Sequence, residues 1–295
     1  MNSEQAPSVL ALVLTYESPE GVARCLAALR AQSTAVAAIL VVDNASRPPV
    51  TVADGDPPVR ILRLPENVGP AGGYAAGLRA FLEEDFEWVW VMDDDCRPTP
   101  GALGGLSDAI ATADAPSLFF PAVVDDRTDA RTSGLGWWGA MIPRSAVEQC
   151  GVPAEELFYW VEDIEYFSRM RDAGFAHVRV DTAVVNINMT RDDAAMPAWK
   201  YYYRTRNSTH ARLEIFRGNT AVPRSTRDRY LQLWKATRST ARLAARSVIR
   251  EHDHRLRKLA AVGRGLVDGI RGRLGRTVVP DHAHRPDYRA DPDRN

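Results

Sequence analysis

The sequence predicts an α/β domain, a mostly parallel sheet covered by helices on both faces, followed by a basic helical extension. Three observations carry this reading. Short β-branched apolar runs alternate with amphipathic stretches through the first half of the chain. Two of those runs end in carboxylates, V-V-D-N at 41–44 and V-M-D-D-D at 91–95. Charge is also divided: residues 1–199 carry 14 Lys and Arg against 29 Asp and Glu, whereas residues 200–276 carry 20 against 5.

Taken in order, strands are expected at residues 9–14, 39–42, 59–64, 88–92 and 118–124, where Val, Ile and Leu dominate. Helices are expected at 19–31, 72–84 and 101–113, two of them with Pro at or near the first turn, where its missing N–H costs nothing. A longer helix is expected over 155–173, closed by Gly174, with a strand over 177–187. Beyond Trp199 the pattern is helical and Arg-rich, and the last stretch, 277–295, has the composition of a disordered tail. The predicted boundaries are thus 1–215 for the α/β domain, 216–276 for the basic helices and 277–295 for the tail.

The composition is that of an ordinary globular protein, 45% hydrophobic and 25% charged over 295 residues. Its apolar runs fall well short of the roughly 20 residues of a membrane span. Residues 1–8 lack the regions of a secretory signal, so a cytoplasmic location is expected. Cys25, Cys96 and Cys150 are widely spaced and odd in number, which reads as reduced thiols rather than a disulfide framework.

Carboxylates crowded at a strand tip repel one another unless a cation or hydrogen-bond donors neutralise them. With no His or Cys nearby, the oxygens of Asp93, Asp94 and Asp95 suit a hard ion, Mg²⁺ or Mn²⁺, which keeps positions open for phosphates. Alternation along an extended chain puts Asp93 and Asp95 on one side and Asp94 on the other, toward a ribose or the loop. An acidic turn explains D-D-D equally well at this point. A receiver or phosphatase aspartate cluster is not supported, because the first strand ends T-Y-E-S. The turn N-V-G-P-A-G-G-Y-A-A-G, 67–77, offers glycines before a helix N-terminus, which suits either phosphate or a tight turn. Asp43 and Asn44 offer oxygens to a base or ribose, or to an Asx turn. W-V-E-D-I-E, 160–165, is a second acidic centre, a helix start or a source of a general base.

In chain order these pieces, with W-G-A-M-I-P-R at 138–144, F-Y-W-V-E-D-I-E-Y-F-S-R-M-R-D-A-G at 158–174 and Y-Y-Y-R-T-R-N at 201–207, resemble the family 2 glycosyltransferases of the GT-A fold. The resemblance spans residues 8–215 and is closest in pattern to bacterial galactofuranosyltransferases and rhamnosyltransferases. It implies inverting transfer from a nucleotide diphosphate sugar, with a UDP or dTDP donor, to a glycan or polyprenyl-linked acceptor. Thr15, Glu17, Asp43 and Asn67 would line the nucleotide pocket, with Gly72, Gly73 and Asp94 also on the donor side. Asp93 and Asp95 would hold the metal. Asp163 would be the base, and Trp138, Gly139, Trp160 and Glu162 would meet the acceptor. Where many members carry a metal-binding His, this chain reads V-N-I-N, so Asn186 or Asn188 takes that place. The missing His also motivates an alternative, a catalytically inactive sugar-nucleotide-binding or scaffold homologue. The basic extension is expected to be packed helices or a peripheral contact with the inner face of the plasma membrane. Nucleic acid is not expected, since no base-reading motif accompanies the charge.

Overall fold

The computed structural model describes residues 8–126, 128–132, 135–187, 196–217, 225–249 and 254–279. The chain divides into two units, Met1–Arg191 with Thr220–Pro223, and Asp192–Asn219 with Arg224–Asn295.

In the first unit, β1 (Val9–Thr15), α1 (Pro19–Arg30), β2 (Ala38–Asp43), β3 (Val59–Arg63), α2 (Gly69–Leu82) and β4 (Trp88–Asp93) follow the expected alternation. Then come β5 (Cys96–Pro98), α3 (Ala102–Ala111), β6 (Ser117–Asp125), β7 (Arg131–Thr132), β8 (Trp138–Pro143) and α4 (Arg144–Cys150). A 3₁₀ turn (Glu155–Leu157), α5 (Glu162–Asp172) and β9 (Ala176–Ile187) complete the unit. The strands form one sheet in the order β3-β2-β1-β4-β8-β6-β9-β5, with β7 on β6.

The sheet is mixed. β3, β2, β1 and β4 are parallel, as expected, but β8 runs antiparallel to β4 and β6, and β5 antiparallel to β9. The short strands β5 and β7, with β8 and α4, were not legible as elements, because each is brief and its apolar residues merge with neighbouring loops.

Side-chain alternation in β1 explains the two faces. Val9, Ala11 and Val13 pack with Val22, Cys25, Leu26 and Leu29 of α1 and with α3. Leu10, Leu12 and Leu14 pack with Tyr74, Leu78 and Phe81 of α2 and with α4 and α5. The α1 positions recur at i, i+3, i+4 and i+7, the stripe of an amphipathic helix. Parallel register aligns the carboxyl ends of three strands: Thr15 pairs with Asp43 and Leu14 with Asp93. Open α/β sheets present their ligand sites along that edge.

The second unit contains α6 (Ala198–Arg217), α7 (Thr226–Ile249) and α8 (Arg255–Arg271). The expected boundary at 215/216 falls inside α6, so the division lies near residue 191 instead. The reason is packing: methyls placed on Gly265 and Gly269 of α8 would lie 2.5 Å from the carbonyl oxygens of Tyr202 and Arg206 of α6, which ties α6 to the helices after it. Arg206 is fully buried, yet its guanidinium donates to Asn207 Oδ1 at 2.7 Å and to the Gly275 carbonyl at 2.6 Å. The Tyr203 hydroxyl donates to the Val278 carbonyl at 2.7 Å. The start of the expected tail is therefore anchored, and its residues 280–295 lie outside those described.

Candidate active site

Strand β4 delivers Asp93 to the sheet edge, and the chain turns at once. Asp94 and Asp95 lie in that turn rather than in an extended strand, so simple alternation does not apply to them. Asp93 and Asp94 nevertheless meet different partners. Thr15 Oγ1 donates to Asp94 Oδ2 at 2.6 Å, fixing Asp94 against the end of β1. Asp93 accepts from the Tyr74 hydroxyl at 2.7 Å.

Burial pushes the Asp93 carboxyl well above the usual range, and the negative charges of Asp95, Asp94 and Glu162 add to that, while the Tyr74 hydrogen bond opposes it. Burial also raises Asp95, with Arg97 opposing. Neither Asp93 nor Asp95 forms an ion pair among the described residues. This concentration of unneutralised oxygen charge fits a divalent cation held by one or two carboxylates and a phosphate. Among the described residues no cluster of three or more His, Cys, Asp or Glu forms a self-sufficient metal cage. Asn186 sits on β9 opposite Arg97 of β5, and Asn188 lies outside the described residues.

The expected helix over 155–173 is broken. Phe158, Trp160 and Val161 have φ of 60°, 73° and 80°, values that side-chain-bearing residues, and β-branched Val above all, rarely adopt. This strained segment launches α5 from Glu162, with Val161 as a left-handed N-cap that lends no side chain to the first turn. Backbone held this way persists only where its surroundings over-determine it, and such positions cluster at functional sites.

The segment carries Glu162 within electrostatic reach of Asp93, and Asp163 lies beside Glu162. Burial pushes Glu162 up to about 8, the Asp163 charge adding to it, and pushes Asp163 up to about 6. Glu162 is 5% exposed, and its Oε2 has no hydrogen-bond partner. The indole of Trp137 faces it and stacks on Tyr74, ring centroids 4.0 Å apart and 19° from parallel. Gly136 separates Trp138 from the acids: a methyl there would lie 3.2 Å from the Trp138 ring and 3.4 Å from Asp163 Oδ2. Trp138 and Trp160 are both half-buried, so neither is sealed into the core.

The first unit matches the family model "Glycosyl transferase family 2" over residues 11–149. Over these residues the chain is similar to the family 2 glycosyltransferases. Galactofuranosyltransferase GlfT1 of Mycolicibacterium smegmatis is 29% identical over 199 residues, 56% of this chain and 66% of that protein. Staphylococcus aureus TarS 1-349, solved with UDP, superposes with a TM-score of 0.61 at 14% identity, covering 90% of this chain and 82% of that one. The mannosyltransferase PcManGT of Pyrobaculum calidifontis, solved with GDP-Man and Mn²⁺, gives 0.57 at 15%, covering 90% and 88%. The fold of the first unit is GT-A.

Several residues expected at the site have other duties in this domain. Asp43 is fully buried; it accepts from the backbone N–H of Ser46 at 2.8 Å and of Val50 at 3.2 Å and pairs with Arg63, which together hold its carboxyl below the usual range against its burial. Glu17 accepts from the Arg47 N–H at 2.9 Å, tying the loop after β1 to that after β2. Asn67 accepts from the Gly69 N–H at 2.8 Å and from Asn44 Nδ2 at 3.3 Å. These contacts fix the loops at the carboxyl edge of the sheet.

Three glycines are corrections. Gly72 and Gly73 lie inside α2, where a methyl would strike Val68 and Leu14 respectively, so they serve helix packing rather than donor approach. Gly139 has φ +90° and is walled in by Val185, Pro121 and Trp90, whose indole donates to its carbonyl at 2.9 Å; it bends β8 and does not face an acceptor. Tyr74 was missed. Within an apolar pattern an aromatic reads as core, and only the hydroxyl-to-Asp93 contact reveals Tyr74 as part of the acidic centre.

Proposed function

We propose that the protein is an inverting, metal-dependent hexosyltransferase that moves galactofuranose or rhamnose from a UDP- or dTDP-sugar to a hydroxyl of a cell-wall or polyprenyl-linked glycan. The observation that carries this reading is that the strained 158–161 segment launches Glu162 within electrostatic reach of Asp93, with Asp163 next to it in the chain. GlfT1 is named a galactofuranosyltransferase, and the UDP and Mn²⁺ of the TarS and PcManGT structures support the donor and metal classes.

In this reading Asp163 takes the proton of the acceptor hydroxyl as that oxygen bonds to the anomeric carbon and the nucleoside diphosphate departs from the opposite face. A carboxylate raised to about 6 is a stronger base than one in water, yet is still ionised at neutral pH. Glu162, raised to about 8, stays protonated there and can donate a hydrogen bond to a sugar oxygen. Trp138 offers a ring face to the acceptor. Asp93 and Asp95 would hold Mg²⁺ or Mn²⁺, which would supply positive charge toward a diphosphate leaving group. Peripheral membrane association belongs to the same proposal. It is supported by Tyr230, Leu231 and Trp234, large apolar side chains exposed on the basic helix α7; no described helix is long and apolar enough to cross a membrane.

Calorimetry with UDP, dTDP and their sugars, with and without Mn²⁺, tests the reading. Metal-dependent binding of one nucleotide that is lost in Asp93→Asn is expected. Absence of binding by every nucleotide would turn the assignment toward a scaffold protein.

A further inference from the structure

Helices α6 and α7 of the second unit enclose a groove of about 330 Å³. They pack antiparallel: Arg212 of α6 donates to the Lys235 carbonyl of α7 at 2.6 Å, and at the other end Arg204 of α6 feels the charge of Arg246. Six cations line the groove: Arg204, Arg212, Lys235, Arg238, Arg242 and Arg246. Among the described residues no Asp or Glu lines it. The acids that these two helices carry are engaged elsewhere, Glu214 with Arg217 at 2.7 Å and Asp228 with Ser225 at 2.6 Å.

So dense a like-charge set is costly to assemble in a concavity. Burial and the Arg246 charge lower the Arg204 pKa, and burial lowers that of Arg212. An anion placed between the helices removes that cost, and the planar forks of arginine match phosphate oxygens two at a time. The wall is not purely polar. Trp234, 53% exposed, lines the groove with Arg238 stacked on its ring at 4.9 Å, and buried Leu243 forms part of the floor. A hydrophilic anion alone gives no reason for an exposed indole there, whereas an anionic head attached to an apolar chain does.

We propose that the α6–α7 groove binds the phosphate-ester head of an anionic amphiphile, with Trp234 against the apolar part next to that head. Two sources carry this chemistry, a bilayer phospholipid and the diphosphate of a polyprenyl-linked molecule. The inference stands on the second unit alone, and its test leaves the transfer reaction aside.

The full chain is tested in metal-free buffer with EDTA, so that donor binding at the aspartates is silent. The probes are inorganic diphosphate by calorimetry and flotation with phosphatidylglycerol-containing or pure phosphatidylcholine vesicles. The variant Arg238→Gln/Arg242→Gln removes two exposed cations of the groove, and Arg257→Gln/Arg271→Gln removes two exposed cations of α8 as the charge-matched control. Circular dichroism confirms that each is folded. The groove variant is expected to weaken binding at least tenfold and the control less than threefold. Trp234→Ala should weaken flotation but not diphosphate binding. Flotation with phosphatidylglycerol but no diphosphate binding assigns the groove to bilayer headgroups, and the reverse assigns it to an isolated diphosphate. The proposal is overturned if neither probe binds, if the two double variants lose binding equally, or if a mixed-sequence oligonucleotide binds more tightly than either probe.

Discussion

The Tyr74 hydroxyl donates to Asp93 Oδ1 at 2.7 Å, joining helix α2 to the end of strand β4 at the acidic centre. Tyr74 is fully buried and stacked on Trp137, so this bond holds one carboxylate oxygen and leaves the other for a ligand. Tyr74→Phe keeps the ring and removes only the donor. A buried hydrogen bond to a charged group is worth roughly 1.5–3 kcal/mol. Mn²⁺-dependent nucleotide affinity should therefore fall about tenfold by calorimetry, with the thermal midpoint lowered by a few degrees. Unchanged affinity would mean that other contacts orient Asp93.

Asp163→Asn should lower transfer by at least about a thousandfold while leaving donor affinity within about twofold, because the base is absent only from the chemical step. Under the proposed mechanism the ionised form of Asp163 is the active one. With the Asp163 pKa near 6, turnover should fall roughly tenfold for each pH unit below that value and level off above it. A rate–pH profile flat from pH 5 to 7 would remove Asp163 from proton transfer.

The parallel half of the sheet was legible because its strands are long, β-branched and punctuated by helices with a clear period. The antiparallel half was not. β8 is six residues directly joined to α4, and β5 is three, too short for any period to declare itself. At the site, chemistry was easier to read than geometry. Asp93, Asp95 and Asp163 stand out by residue type, whereas the electrostatic contact of Glu162 with Asp93 is visible only in the structure. The glycines at 72, 73 and 139 misled because a glycine needed for packing and one needed for a ligand are identical in sequence. The break at 158–161 was invisible for a related reason: F-Y-W-V is as apolar as a helix interior, and positive φ at those residues is imposed by tertiary contacts.

Glu162 makes stability depend on pH. Its folded pKa, about 8, lies above its ordinary value near 4.5, so the folded protein favours the neutral acid. That contribution is fully present below about pH 4.5 and is lost as pH rises through about 8. Glu162→Gln keeps the side chain neutral throughout. The variant should match the wild type at pH 4 and exceed it at pH 9 by on the order of 1–2 kcal/mol, a few degrees in the thermal midpoint. Equal midpoints at pH 9 would show that the wild-type carboxyl ionises there without cost.

Gly69 holds the strained segment in place. Its φ is +73°, and a methyl on it would lie 2.0 Å from the Phe158 carbonyl oxygen, which also accepts from the Ala71 N–H at 3.3 Å. That obstacle is backbone and cannot rotate away, so Gly69→Ala must push residues 158–161 off the start of α2. Because those residues launch Glu162 and Asp163, displacement there acts on the chemistry as well as on the fold. The expected cost is about 2–4 kcal/mol, with transfer reduced at least about a hundredfold in the protein that remains folded. Gly101→Ala is the matched control, since a methyl there meets nothing within 4 Å and φ is negative. If Gly69→Ala lost stability but kept wild-type turnover, the Gly69–Phe158 contact would be a matter of folding alone, and the placement of Asp163 would have to be traced to α5 and its packing on the sheet.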